Sequence, residues 1–383
     1  MKKNYYNINQ IDVHKFIYFL AITSFIIIIF NTYNFVLERS PNQYSDWLIN
    51  YQGGFVRRGL AGEFLFQLHR LSNIPLDSLV LVFVSLLYLI FYFYFFKLIK
   101  IIKFNFINLL VFLSPLSFLY PVMEQKISGR KDILFLVSIF LVLHFLKNFD
   151  FKKQKYFLFA VFITTILTHS GFIFYTPYLI TIFILFNIKR NYKELFSELI
   201  WIGVFLFLIL LLILKYSSIT PDSIVMICKS IESFLPNCGK QDYIASLSWS
   251  LTYEKNLVST LWTRDGYQYF YIIAFILAFA PLAYLLNSSK FIYKKIKKIS
   301  PLFVFSFLIL FTLPVYFIGA DFGRYMFWSY LSSIIIFFFF AKKKVIKVDY
   351  KYKNFNFIMI VVIFLYCFTW TVPHCCNNNF KFI

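Results

Sequence analysis

Residues 78–96 have the sequence SLVLVFVSLLYLIFYFYFF, nineteen uncharged residues between Asp77 and Lys97. An α-helix rises about 1.5 Å per residue, so a helix of this length matches the hydrocarbon core of a bilayer, which is roughly 30 Å thick. The core of a soluble domain does not require so long an apolar run. The stretch therefore predicts a helix that crosses a membrane.

The composition of the whole chain agrees with this prediction. Of its 383 residues 60% are hydrophobic and 14% are charged, whereas about a quarter of the residues in a soluble domain are charged. Ten further apolar runs lie at 16–31, 104–120, 133–146, 156–168, 172–188, 199–214, 268–286, 302–318, 329–341 and 355–371. The sequence thus predicts an all-α, polytopic transmembrane bundle of about eleven spans, with residues 1–383 forming one membrane domain.

The distribution of charge predicts the orientation. The chain has 38 Lys and Arg residues against 17 Asp and Glu, a net charge of +21, but the basic residues form short clusters between apolar runs, as the positive-inside rule produces. This pattern argues against a nucleic-acid partner. With the N-terminus inside, the predicted inner segments carry most of the basic residues; they are 1–15, 97–103, 147–155, 189–198, 287–301 and 342–354. Loops 32–75 and 215–267 are then predicted to lie outside.

Arginines and lysines are distributed differently between the predicted inner and outer sides of the membrane. Only Arg190 among the arginines is predicted inside; the others are Arg39, Arg57, Arg58, Arg70, Arg130, Arg264 and Arg324. A topology signal needs only charge, whereas the planar guanidinium fork suits bidentate recognition of phosphate or carboxylate. The outer arginines therefore indicate an anionic ligand. The alternative is that they only pair with outer acids.

Three of the predicted spans are too short to cross a bilayer alone. Their apolar parts cover 133–146, 156–167 and 329–340, so each must bring outer polar neighbours to membrane depth. These neighbours are Arg130, Lys131 and Asp132 for the first span, His169 for the second, and Asp321 and Arg324 for the third. Ionisable groups at that depth are costly unless they face a polar cavity or each other. Snorkelling to the interface is the alternative, but short Asp and His side chains cannot snorkel far.

Loop 32–75 contains the sequence GGFVRRGLAGE at 53–63. From Leu60 onward leucine and phenylalanine recur at three- and four-residue spacing, which predicts an amphipathic helix on the outer surface. Arg57 and Arg58 are predicted in its first turn, where positive charge opposes the helix dipole. An anion bound there would resolve the conflict. Contact of both arginines with lipid headgroups is the alternative.

Four motifs resemble a group of bacterial polytopic proteins from surface-polysaccharide gene clusters. They are the stretch from Asp46 and Trp47 through GGFVRRGL, GRKD at 129–132, the turn at His169 with the aromatic span that follows, and DFGR at 321–324. The group is similar to O-antigen or capsule repeat-unit polymerases and to the wider GT-C type of polyprenol-dependent glycosyltransferases. Ser170 stands where an acidic residue commonly follows the histidine.

The resemblance implies a GT-C-like fold and an undecaprenyl-pyrophosphate-linked oligosaccharide as substrate, with membrane lipids and a chain-length regulator protein as partners. It implies that an acidic residue in the first outer loop contributes to catalysis, a position that Asp46 occupies, and that outer arginines hold the lipid pyrophosphate. No cofactor is expected. The five cysteines show no CxxC spacing, so no thiolate metal site is expected either.

Glycosyl transfer from such a carrier needs a base for the acceptor hydroxyl and cations for the departing phosphate. Asp46 or His169 is the candidate base, with Asp132, Asp321 and Glu63 as further candidates. The candidate substrate-binding residues are Arg57, Arg58, Glu63, Arg130, Lys131, Asp132, Asp321 and Arg324. Asp46 and His169 are expected to meet in one outer-facing cavity with Arg130 and Arg324.

The predicted function is polymerisation of lipid-linked repeat units at the periplasmic face of the bacterial inner membrane. One alternative is a GT-C transferase that uses a polyprenyl-phosphate sugar. A second is a flippase or transporter of lipid-linked oligosaccharide, although a transporter should place charge at the midplane and often shows related halves. Cys228 and Cys238 form either a disulfide, in an oxidising compartment, or a pair of free thiols.

Overall fold

A computed structural model describes residues 10–216, 219–239, 244, 251–264, 267–348, 357–375 and 381–382. The described chain is mostly helical. Its α-helices, numbered α1 to α17 in chain order, are Gln10–Leu37, Tyr44–Trp47, Leu60–Ser72, Leu76–Ile99, Phe106–Phe112, Tyr120–Met123, Asp132–Phe145, Phe151–Thr168, Thr176–Phe186, Tyr192–Lys215, Pro221–Ser230, Leu251–Arg264, Tyr267–Asn287, Pro301–Phe311, Val315–Ile318, Phe322–Lys342 and Phe357–Phe368. Short 3₁₀ helices cover Gln125–Ile127, Leu146–Asn148 and Ser170–Tyr175.

Six described segments are helical, long and apolar enough to cross a membrane. They are Asp12–Leu37, Leu76–Ile99, Tyr192–Lys215, Tyr267–Asn287, Pro301–Ile318 and Phe322–Lys342. Each coincides with a run that the sequence predicts as a span, which confirms a helical membrane protein. Two shorter apolar helices, Ser170–Phe186 and Ile358–Phe368, coincide with further predicted spans. The total of about eleven crossings stays a prediction.

The predicted span 104–120 is not one helix. Helix α5 begins after Asn105, whose side chain accepts a hydrogen bond from the Asn108 backbone N–H at 2.8 Å, and ends at Phe112. Proline follows at position 115, and the residue before a proline is disfavoured in helical conformation. The chain therefore turns here and resumes as the one-turn helix α6.

The polar residues next to the three short predicted spans lie at or just beyond the helix ends. Helix α7 begins at Asp132, α8 ends at Thr168 with His169 as its C-terminal cap, and α16 begins at Phe322, so that Arg324 lies in its first turn. With 21 residues, α16 extends about 31 Å at 1.5 Å per residue. Helix α7 has only 14 residues and so is no longer than its apolar part. The depth of these polar groups in a bilayer stays a prediction.

Four short strands add two small ribbons to the helical chain. Strand β1 (Ser289–Phe291) pairs antiparallel with β2 (Ile346–Val348), and β3 (Trp370–Thr371) pairs antiparallel with β4 (Lys381–Phe382). The described fold is thus all-α apart from these pairs. The first ribbon joins two segments, 287–301 and 342–354, that are both predicted inside.

The chain divides into two compact units, each discontinuous in sequence. The first unit comprises Met1–Ile27, Tyr92–Ile127 and Val258–Ile383, and the second comprises Ile28–Phe91 and Ser128–Leu257. In the first unit α16 is buried along almost its whole length and packs against α13 and α14. In the second unit the buried helix is α7, which packs against α8 and α9. This division does not test the prediction that residues 1–383 form one membrane domain.

Candidate functional site: two clusters of buried ionisable residues

The glycine-rich turn of the first predicted outer loop is held against helix α11 in the second unit. Gly54 has a φ of +100°, a conformation that L side chains rarely adopt. Gly53 lies so close to the backbone carbonyl of Ser223 that a Cβ atom would collide with it. The two glycines are therefore required by a left-handed turn and by a close backbone approach.

The predicted amphipathic helix is α3, Leu60–Ser72, with Gly59 as its N-cap. Leu65 is buried, while Phe64 and Leu71 are 54% and 84% exposed, so one apolar stripe has no covering side chain in the described protein. Arg57 and Arg58 precede the N-cap and do not lie in the first turn of the helix, which corrects their predicted position. Gly59 ends the preceding turn, where its N–H donates to the Val56 carbonyl.

Arg57 forms a buried ion pair that the sequence does not reveal. Its Nη2 donates to Glu254 Oε1 on α12 at 2.9 Å, and the side chains are 7% and 15% exposed. Within the described chain no group accepts a hydrogen bond from the buried Nε of Arg57 or from that of Arg58. Two buried guanidinium N–H donors next to each other in sequence therefore have no acceptor among the described residues.

Lys131 joins the same region from the N-terminus of α7. Its Nζ lies 3.7 Å from Asp46 Oδ1 and donates to the backbone carbonyl of Arg58 at 2.9 Å. The lysine side chain is 0% exposed, whereas that of Asp46 is 17% exposed. We call Arg57, Arg58, Lys131, Asp46 and Glu254 the cationic cluster, because three positive groups there meet two negative ones.

The pKa values of the cluster reflect its burial and its excess of positive charge. Burial lowers the pKa of Lys131 to about 8; Asp46 opposes this shift and the nearby charge of Arg58 adds to it. Burial also lowers the pKa of Arg57, the charge of Arg58 adds to the effect, and Glu254 opposes it. Since the charge of Arg58 acts on both neighbours, the three cations lie within electrostatic range of one another.

Two further predicted residues hold the framework of this site. The Glu63 carboxylate accepts hydrogen bonds from the Tyr51 backbone N–H at 2.8 Å and from the side chains of Gln52 and Gln67, so it fixes the loop before α3. Trp47, fully buried, donates its indole N–H to the Gly129 carbonyl at 2.6 Å. This bond joins the Asp46 segment to the chain that leads into Lys131.

Arg130 and Asp132 flank Lys131 and are also buried, at 9% and 3% exposure. Asp132 is in the first turn of α7, where a negative charge is favoured by the helix dipole. All three residues of this predicted polar group are therefore buried in the second unit.

His169 has a local structural role. Its Nδ1 accepts a hydrogen bond from the Gly171 backbone N–H at 3.3 Å, which caps the 3₁₀ helix that follows. Its ring lies 5.0 Å from that of Phe172, which stacks at 5.0 Å on Phe135 of α7. With Nδ1 as acceptor, the proton of the neutral imidazole is on Nε2, so in this arrangement His169 is a proton donor rather than a base.

The first unit contains a different polar group. Arg324 Nη2 lies 2.9 Å from Asp321 Oδ2, and His374 Nδ1 lies 3.2 Å from Glu124 Oε1. Asp321 and Arg324 are predicted site residues; Glu124 and His374 are not. We call these four residues the acid–histidine cluster. Arg324 belongs to the first unit, whereas Asp46, Arg130 and His169 belong to the second, so the expected common cavity stays a prediction.

A close backbone contact forms the acid–histidine cluster. The Gly323 N–H donates to the His374 carbonyl at 3.1 Å, and a Cβ at Gly323 would collide with the Pro373 carbonyl and the Tyr120 hydroxyl. That hydroxyl is fully buried and has no hydrogen-bond partner in the described chain. The DFGR motif predicts Asp321 and Arg324, whereas no motif marks Glu124 or His374.

One trio in the first unit has metal-ligand geometry. Ligand atoms of Asp321, His374 and Cys375 lie within 4.8 Å of one another. Cys375 is disulfide-bonded, so its sulfur is not the thiolate that a metal ion would need. Asp321 also holds the Arg324 guanidinium. The donor set therefore does not fit a structural metal ion.

A scan of protein-family models and searches of characterised proteins and of solved structures found no match to this chain.

Proposed function

We propose that this protein is a membrane glycosyltransferase that polymerises lipid-linked oligosaccharide repeat units at the outer face of the bacterial inner membrane. The observation that carries the proposal is the charge of the cationic cluster: Lys131 pairs with Asp46 and Arg57 with Glu254, while Arg58, whose charge acts on both cations, has no ion pair among the described contacts. Buried cations in excess of their counter-ions favour an anionic ligand, and the phosphates of a polyprenyl carrier have the matching charge.

The cluster supplies a site for the leaving group. As the bond between the anomeric carbon and the phosphate oxygen breaks, the departing pyrophosphate gains negative charge, which Lys131 and the free guanidinium N–H groups of Arg57 and Arg58 would stabilise. The uncharged form of Lys131 becomes accessible near pH 8, but a bound phosphate would favour the charged form.

Asp46 is the proposed general base. Its carboxylate is the more exposed partner of its ion pair, so an acceptor sugar can approach it. The acceptor hydroxyl would give its proton to Asp46 while its oxygen bonds to the anomeric carbon, and the proton would then leave to solvent. His169 is less suited to this role, because its Nδ1 accepts the backbone N–H of Gly171.

Contacts between loops support the proposed orientation. Asp46 meets Lys131 and Arg57 meets Glu254, all in segments predicted outside. Lys155 meets Glu198 at 2.7 Å, both in segments predicted inside. Cys228 and Cys238 form a disulfide in the predicted outer loop, and disulfides persist in oxidising compartments such as the periplasm.

The experiment is a glycan analysis of a deletion strain complemented with variants. Surface chains that stop at one repeat unit would support the polymerase, a single missing sugar would support a transferase that uses a polyprenyl-phosphate donor, and lipid-linked units accumulating on the inner side would support a flippase. R58K should shorten the chains because lysine keeps the charge but loses the fork. R70K, on the exposed end of α3, is the matched control and should make wild-type chains.

The proposal fails if R58K, at normal protein level, restores chains as long as those of R70K. In that case Arg58 would act only as a surface charge.

A further inference from the structure

The first unit contains a lysine-lined cavity that the proposed function does not use. It has a volume of about 450 Å³ and lies at the C-terminal end of α16, beside the β1–β2 ribbon and the turn at 101–103. Its side chains are either lysine or apolar: Lys103, Lys342, Lys344 and Lys347 on one hand, and isoleucine, valine, alanine and Phe338 on the other. No acidic residue is among the described residues that line it.

Around the cavity, lysines lie close to other lysines, an arrangement that destabilises local structure. In the β1–β2 ribbon Lys290 is directly opposite Lys347, and like charges at such positions destabilise an antiparallel pair. The nearby segment 342–344 is three consecutive lysines. A bound anion between these side chains would offset the repulsion.

The end of α16 gives a second, independent indication. The Val345 N–H donates to the Phe340 carbonyl and the Lys344 N–H to the Ala341 carbonyl, which is the hydrogen-bond pattern of a Schellman motif. Lys344 has the left-handed conformation of that motif, with a φ of 55°, at the position where glycine is usual. Lys344 has this conformation at an energetic cost that glycine would not have. Its side chain lines the cavity.

The combination of charge and apolar wall identifies the ligand class. A cavity that has only lysines and apolar groups fits a phosphate-bearing amphiphile better than a fully hydrated anion, because the apolar side chains can cover an acyl chain. It lies at the end of a membrane-spanning helix, among segments predicted on the inner side, where anionic lipids are concentrated. We propose that this cavity binds the headgroup of an anionic phospholipid.

The test compares lipids and lysine positions in the purified full-length chain. Thermal unfolding in detergent is measured during titration with phosphatidylglycerol, phosphatidylcholine or inorganic phosphate. The wild type should be stabilised by phosphatidylglycerol, and its apparent affinity should fall about fivefold for each charge removed, since one lysine near an anionic lipid surface contributes about 1 kcal/mol. The double variant K342Q/K344Q and the single variant K344G remove cavity charges.

The variant K344G distinguishes a loss of lipid binding from a loss of folding. Glycine suits the left-handed conformation at position 344, so a weaker lipid response in this variant cannot be attributed to a damaged helix end. K297Q/K298Q is the matched control, because these exposed lysines lie in the same predicted inner segment as β1 but do not line the cavity. It should respond like the wild type.

Three results would overturn the proposal. One is an unchanged response in both cavity variants. Another is an equal loss in K297Q/K298Q, which would indicate diffuse attraction to the lipid surface. The third is saturation of the same stabilisation by inorganic phosphate at concentrations like those of the lipid, which would identify a site for the free anion.

Discussion

The two clusters contain the same kinds of residue but differ in how their charges are balanced. In the first unit Glu124 contacts His374 and Asp321 contacts Arg324, so the described contacts bring two acids to two basic side chains, one of which is a histidine that is charged only when protonated. In the second unit Lys131 pairs with Asp46 and Arg57 with Glu254, and Arg58, whose charge acts on both cations, has no ion pair among the described contacts. Paired buried charges satisfy each other and need no ligand, whereas an excess of one sign creates a demand for one. Charge balance, rather than burial alone, therefore distinguishes a candidate substrate site from a structural one.

Asp46→Asn should give the largest effect, because it removes the proposed base with almost no change in volume. We expect polymerisation to fall about 10²- to 10⁴-fold, the contribution typical of a general base, while the protein remains in the membrane. The measurement is turnover of purified lipid-linked repeat units, normalised to protein level. Turnover within threefold of the wild type would remove Asp46 from the chemistry.

Glu254→Gln tests the charge balance of the cationic cluster directly. Removing the ion-pair partner that the described chain provides for the buried Arg57 should destabilise the protein by about 3 kcal/mol, measured by thermal unfolding. Because the cluster then has two excess positive charges, inorganic pyrophosphate should recover part of the lost stability.

Asp321→Asn is the matched variant in the acid–histidine cluster. It should be destabilised for the same reason, since Arg324 is 8% exposed, but pyrophosphate should not recover its stability. Equal recovery in both variants would mean that the two clusters do not differ as ligand sites.

The titration of Lys131 should make the free energy of unfolding depend on pH. Its pKa in the folded protein is about 8, below the value of about 10.4 for an exposed lysine. Between these two values the unfolded chain binds more protons than the folded one, so stability should rise with pH from about 8 to about 10.4, by up to about 3 kcal/mol.

Lys131→Met removes the titrating group and should abolish that rise. Stability is measured by urea unfolding in detergent across the window. The free energy of unfolding could instead change with pH in the same way in the wild type and in the variant. Lys131 would then titrate like an exposed lysine, and the description of a buried cationic cluster would be wrong.

The sequence predicts helices better than it predicts contacts. Runs such as 78–96 and 329–341 are recognised because length and apolarity are local properties, and both are helical. The span 104–120 is mispredicted because hydropathy ignores the backbone restriction that proline imposes at position 115.

The contacts between site residues cannot be predicted from local sequence patterns. Asp46 and Lys131 are both predicted from motifs, but their contact joins segments 85 positions apart. Glu254 and His374 are single polar residues in segments without a motif, so nothing local distinguishes them from surface residues. The charge excess that supports the proposed site appears only once the partners are known.

His374→Gln should have the smallest effect and is the sharpest test of the comparison. His374 contacts Glu124 through its side chain, but it accepts the Gly323 N–H through its backbone carbonyl, and a substitution leaves that carbonyl in place. A glutamine amide can still donate to Glu124, so the loss of stability should stay below about 1 kcal/mol, the net value of one hydrogen bond. If the acid–histidine cluster is structural, polymerisation should stay within about twofold of the wild type. A loss approaching that of Asp46→Asn, at normal protein level, would instead mean that a charge-balanced cluster takes part in the chemistry, and the distinction between the two units would have to be abandoned.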